Sequence, residues 1–96
     1  MPSMNRLSTH ATTIAIDENH CVVTYHNTPI VKYNDIEIII NFGDFDTVTT
    51  RRKMNQAANQ FRLPYSVYRK NGKTFVKNNV NENVIPYDGD KIVILR

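Results

Sequence analysis

The chain has one cysteine, no tryptophan, three glycines and four prolines in 96 residues, and each scarcity closes off a class of protein. Cys21 alone can form no disulfide within the chain and cannot build a thiolate zinc site, which suits a reducing compartment. Neither a glycine-rich phosphate loop nor a nucleophile elbow occurs. Long apolar runs are missing as well. The longest, at 38–40 and 92–95, fall far short of the roughly 20 residues of a membrane span, and no basic-then-apolar leader opens the sequence. No membrane partner is expected, and the chain reads as unexported. His10, His20 and His26 lack the helical spacing of a metal pair, and no two carboxylates stand out by their spacing. These absences predict a protein that is not an enzyme, with no catalytic residue, metal site or cofactor.

What is present describes an ordinary globular domain, 41% hydrophobic and 22% charged, of a length that one core can organise. Residues 1–9 carry no sustained period and read as a flexible terminal segment, leaving 10–96 as the single domain. The net charge of +3 conceals a strong segregation. Residues 1–46 hold two cations against six acids, a net of −4. Residues 47–77 hold eight cations and no acid, and the tail from 78 holds two cations against three acids. A block this basic attracts anions such as phosphates, unless the acidic half neutralises it across the fold.

Hydrophobic periodicity divides the chain further. Residues 11–16 and 21–25 alternate as strands about the turn Asp17-Glu18-Asn19-His20, and 30–33 and 36–41 form a second pair about Asn34-Asp35. In the second pair Ile36, Ile38 and Ile40 share one face. After Gly43 the period changes. Met54, Ala57, Ala58 and Phe61 follow helical spacing, which predicts a helix over 48–62, capped by Asp46, Thr47 or Thr49 and ended by Pro64. Asn71-Gly72 then demands a type I′ hairpin between 65–70 and 73–77, with Tyr68 opposite Phe75 and Val67 opposite Val76. After an Asn-rich loop, Asp88-Gly89 turns into a final strand at 92–95. The expected fold is α+β: a single amphipathic helix packed on a mostly antiparallel sheet, in the order ββββαβββ.

Three groups of residues are candidates for binding, and each has a purely structural alternative. Thr49, Thr50, Arg51, Arg52 and Lys53 open the helix, where free N–H groups and the helix dipole favour an anion and disfavour cations. The alternative is that Asp44 and Asp46 cap the helix and pair with the same arginines. Arg52, Asn55, Gln56 and Asn59 lie opposite the apolar helix stripe, flanked by Lys53 and Gln60. Amides there suit an adenine edge and arginine suits guanine or phosphate, or the face is simply solvated. Tyr65, Tyr68 and Phe75 interleave with Arg69, Lys70 and Lys73 as in strands that stack single-stranded bases. Because side chains alternate, either Tyr65 with Val67 or Ser66 with Tyr68 points outward, and not both.

The run Thr47-Val-Thr-Thr-Arg-Arg-Lys-Met-Asn-Gln-Ala-Ala-Asn-Gln-Phe61, followed by Leu63-Pro-Tyr-Ser-Val-Tyr-Arg-Lys-Asn-Gly72 and Phe75-Val76, resembles small bacteriophage-encoded proteins of uncharacterised function. The resemblance covers about residues 36–76 and implies a phage origin and action in the host cytoplasm, with no activity attached. Joined to the charge pattern, it leads to an expected non-enzymatic accessory protein that binds a phosphate-bearing ligand, with nucleic acid first among such ligands. Arg51, Arg52, Lys53, Asn55, Gln56, Asn59, Arg69, Lys70 and Lys73 would supply the contacts, helped by Thr49 and Thr50. A protein-binding inhibitor of host defence or transcription is the alternative, and a sponge for a signalling nucleotide a third. The open edges of the sheet would also suit a homodimer.

Overall fold

The computed structural model describes residues 12–43 and 46–96. The terminal segment expected over 1–9 lies outside them, as does Asp44. The described residues form strands β1 (Thr12–Asp17), β2 (His20–Tyr25), β3 (Thr28–Tyr33) and β4 (Glu37–Ile40), helix α1 (Val48–Phe61), and strands β5 (Tyr65–Lys70), β6 (Lys73–Asn78), β7 (Val84–Pro86) and β8 (Ile92–Leu95). The α+β class and the element order are those expected, with the short β7 added before the last strand. The strands divide into two antiparallel sheets, one in the order β1-β2-β3-β4-β8 and one in the order β5-β6-β7.

Local chemistry explains where β3 and β4 begin. His26 and Asn27 both take positive φ, 48° and 66°, so a two-residue turn joins β2 to β3 and β3 starts at Thr28, two residues before the expected strand. Pro29 has no N–H to give to the ladder, and the register with β2 slips beside it, between Val23 and Thr24. The slip leaves Ile30 without a partner on β2 and lets consecutive Ile30 and Val31 both point into the core. At the start of β4, Asn34 Oδ1 accepts the N–H groups of Ile36 and Glu37 at 2.8 and 3.0 Å. This Asx turn draws Ile36 out of the strand, so Ile38 and Ile40 are buried while Ile36 is 68% exposed rather than sharing their core position.

Thr47 caps the helix, its hydroxyl oxygen accepting the Thr50 N–H at 3.2 Å. Arg62 closes the other end in the left-handed region, with φ 55°, and Leu63 N–H bonds back to the Ala58 carbonyl at 2.8 Å before Pro64. Met54, Ala57 and Ala58 are buried at helical spacing as expected, packing against β5 and β3, and Phe61 lies against Tyr33 with ring centroids 5.4 Å apart. Asn71 and Gly72 take φ of 53° and 79°, and the β5–β6 register puts Tyr68 opposite Phe75 and Val67 opposite Val76, again as expected.

The helix also explains why one sheet became two. Asn55 Nδ2 donates to the Val67 carbonyl at 2.7 Å and Asn55 Oδ1 accepts the Val67 N–H at 2.8 Å, so a side chain occupies the edge of β5 where another strand would pair. Tyr87 then stitches the sheets together. Its N–H bonds to the Thr74 carbonyl at 2.9 Å, its hydroxyl donates to the Gly43 carbonyl at 3.2 Å, and its ring lies 4.4 Å from that of Phe42 in the core.

Candidate nucleic-acid interface

The fold uses much of the helix start for itself. Thr50 is fully buried, its N–H held by Thr47 and its hydroxyl 3.0 Å from the Thr47 oxygen. Arg51 Nη1 donates to Asp46 Oδ1 at 2.6 Å and to the Asp46 carbonyl at 3.3 Å. The other carboxylate oxygen of Asp46 accepts the Thr74 hydroxyl at 2.7 Å and stands 3.6 Å from Arg69 Nη1. One acid thus ties the helix start to the hairpin, pairing closely with Arg51 and at longer range with Arg69, two of the expected ligand contacts. Arg69 also donates from Nη2 to the Gly72 carbonyl at 2.9 Å. Among the first residues of the helix, Thr49 and Arg52 remain exposed.

Lys53 is a second departure from the expected surface. Helical spacing places it beside Met54 and Ala57, and it is 3% exposed with its ammonium 5.0 Å from the centre of the Tyr25 ring. Burial lowers its pKa from the ordinary lysine value. Its ammonium lies against the Tyr25 ring inside the molecule and not on the open surface. Asn55 is committed to Val67, and Gln56 is half-buried, leaving Arg52 and Asn59 as the open members of the polar helix face.

The three-stranded sheet resolves the alternation that the sequence left open. Tyr65 and Val67 face inward with Val76, and the Tyr65 hydroxyl donates to the Met54 carbonyl at 2.6 Å. Burial raises the pKa of that hydroxyl well above the usual tyrosine value. Ser66, Tyr68 and Lys70 therefore face outward, and the register aligns them with Lys77, Phe75 and Lys73. Pro86 continues the Tyr68–Phe75 row on β7, and Val84 continues the Ser66–Lys77 row.

This outer face combines planar groups with positive charge. Tyr68 and Phe75 stack with centroids 5.5 Å apart and an interplanar angle of 27°, both half-buried and outside the core cluster. Lys70 and Lys73 are exposed and directly opposite each other at the hairpin end. Like charges opposed across strands repel, so the pair is a local demand for an anion. Lys77 sits at the other end of the face, 3.7 Å from the exposed Glu82. This outer face thus carries a stacked aromatic pair with ammonium groups at both ends.

Of the residues expected at a ligand, the structure brings Lys70 and Lys73 together here and leaves Thr49, Arg52 and Asn59 exposed on the helix, with Gln56 half-buried. Thr50, Arg51, Lys53 and Asn55 are engaged in the fold, and Arg69 shares in the Asp46 network. Tyr68 and Phe75, candidates for a stacking surface though not among the expected contacts, belong to the face, and so does Lys77, which no candidate group included. Their common two-residue period, counted outward from Asn71-Gly72, was the available signal. Among the described residues, no cluster of three metal-ligating side chains occurs and no helix is long and apolar enough to cross a membrane.

The described fold has no match among solved structures, and no curated protein matches the chain. Residues 2–93 match the family described as Kyanoviridae Gp96 protein. The chain belongs to that family of phage proteins.

Proposed function

We propose that this phage protein is a non-enzymatic accessory protein that binds nucleic acid in single-stranded form, on the outer face of β5-β6-β7, and acts in the host cytoplasm. The observation that carries the reading is the stacked Tyr68–Phe75 pair turned away from the core between Lys70 and Lys73 at one end and Lys77 at the other. Every base has a π-face, so an aromatic platform captures single strands with little regard to sequence, and lysines spaced along it meet the phosphates. Arg52 and Asn59 stay exposed on the helix whose Asn55 grips the β5 edge. A duplex hides its base faces and so offers this platform only its phosphates.

Fluorescence anisotropy with a labelled single-stranded oligonucleotide tests the reading. Each stacked base is worth about 1–3 kcal/mol, so Tyr68→Ala with Phe75→Ala is expected to weaken binding by tenfold or more. Lys70→Ala with Lys73→Ala should flatten the dependence of log K on log salt by about 1.4, two phosphate contacts at about 0.7 each. Equal affinity for duplex and single strand, or binding undiminished by the aromatic double variant, rejects the platform. Capture of a nuclease-resistant host protein through the same face would instead favour the protein-binding alternative.

A further inference from the structure

The outermost strand of the larger sheet has the properties of an interface. β1 pairs with β2 from Thr12 opposite Tyr25 to Asp17 opposite His20, and no other strand of the described sheet meets its far side. In an antiparallel strand every second residue directs its N–H and C=O away from its neighbour, so β1 presents a row of backbone donors and acceptors. Other strand edges of this protein are guarded. β8 is flanked by Lys91 and Arg96, β7 has three residues and ends in Pro86, and the edge of β5 is taken by Asn55. β1 reads Thr-Thr-Ile-Ala-Ile-Asp, with no lysine, arginine, proline or glycine.

Its side chains continue the core beyond its cover. The register aligns Ile14 with Val23, Val31, Ile40 and Ile92, a row in which each residue except Ile14 is buried. Ile14 is 46% exposed and Ile16, in the next row beside Cys21, is 76% exposed. Water at the end of an apolar row is a cost that a matching strand removes.

We propose that β1 pairs antiparallel with β1 of a second copy of this chain, about a two-fold axis at Ala15. Such an axis keeps equivalent faces on the same side, so opposed residue numbers have an even sum. With Ala15 facing its own counterpart, Ile14 meets Ile16 of the second copy, and Ile16 meets Ile14. Thr13 then meets Asp17, a hydroxyl donor against a carboxylate, and the two Asp17 side chains are kept at opposite ends. Shifting the centre to Ile14 or Ile16 sets one isoleucine of each chain against Thr12 or Glu18 and loses this match. Self-complementarity of the isoleucines, with the Thr13 hydroxyl set against Asp17, selects a second copy as the occupant, and it unites two five-stranded sheets into one continuous sheet.

Sedimentation velocity on the full chain, over a range of concentrations, tests the pairing, with expected growth of a species of twice the chain mass. Ala15→Asp sets two carboxylates face to face and is expected to remain monomeric with an unchanged circular dichroism spectrum. In a Cys21→Ser background, Ala15→Cys should cross-link to itself under mild oxidation, because opposed Cα atoms lie about 4.5–5.5 Å apart, within disulfide reach. Thr13→Cys should not. A wild-type monomer at every concentration, dimerisation of Ala15→Asp, or equal cross-linking through Thr13→Cys overturns the proposal. Oligonucleotide anisotropy on monomeric Ala15→Asp reads the aromatic face separately, so the two readings fail independently.

Discussion

Asn55 holds Val67 by both of its backbone polar groups, donating to the carbonyl at 2.7 Å and accepting from the N–H at 2.8 Å. A helix side chain thereby replaces a neighbouring strand, which satisfies the β5 edge and sets the helix against the hairpin. Replacement by alanine removes two hydrogen bonds and leaves both Val67 groups without their protein partner. Asn55→Ala is expected to destabilise the chain by about 2 kcal/mol, read as a lower urea midpoint. Oligonucleotide affinity of the folded variant should stay unchanged, because Asn55 is engaged with Val67 at the β5 edge and does not belong to the Tyr68–Phe75 face.

Asp46 gives a prediction in which stability and binding move in opposite directions. Its carboxylate engages Arg51, Thr74 and, at longer range, Arg69. Asp46→Ala should lower stability by about 1–3 kcal/mol through loss of a charge-assisted network. It also uncovers two guanidinium groups near the hairpin, so affinity for single-stranded nucleic acid should rise and its salt dependence steepen. A simultaneous fall in stability and affinity would contradict this electrostatic account.

Two glycines at positive φ should differ in their response to alanine. Gly72, at φ 79°, has open space where a Cβ would stand, so Gly72→Ala carries only the conformational cost, about 1–2 kcal/mol. Gly43, at φ 60°, would place that Cβ 2.9 Å from Thr28 Cγ2, adding a clash between the turn after β4 and the start of β3. Thermal melts should therefore rank Gly43→Ala below Gly72→Ala, and the reverse order would be inconsistent with the packing at Thr28.

The two faces of the hairpin make a paired test. Val76 is fully buried, and Val76→Ala should cost roughly 2 kcal/mol or more. Phe75, its neighbour on the outer face, should cost about 1 kcal/mol or less, the size of a cross-strand aromatic contribution. Because the chain has no tryptophan, Phe75→Trp supplies a single reporter on that face, expected to be quenched by a bound single strand.

The buried Tyr65 hydroxyl predicts an alkaline limb. Its pKa is raised by burial, so the folded state keeps the proton that the unfolded chain releases near pH 10. The associated stability is complete below that pH and declines as pH rises above it. Tyr65→Phe should lower stability at neutral pH by about 1 kcal/mol and shallow the decline above pH 10, measured by urea titrations at successive pH values.

Much of the secondary structure is legible from local chemistry. Asn71-Gly72 specifies the hairpin and its register, and Met54, Ala57, Ala58 and Phe61 specify the helix face. Both follow from interactions within a few residues of chain. The start of β4 was not legible, because an Asx bond from Asn34 competes with the alternation that groups Ile36 with Ile38. Three-residue β7 was hidden for a related reason: its pairing with β6 is tertiary, and a proline-terminated triplet has no readable period.

The sequence by itself determined the helix, seven of the strands, the Asn71-Gly72 turn and the concentration of positive charge between residues 47 and 77, since these depend on residues close along the chain. Tertiary structure alone decided which charges face outward. It turned Lys53 onto Tyr25, brought Thr74 and Arg69 to Asp46, and set Tyr68 and Phe75 outside the core with Lys70 and Lys73. Those outcomes depend on which surfaces meet when the helix and two sheets pack, a choice made by burial and edge pairing between segments distant in sequence.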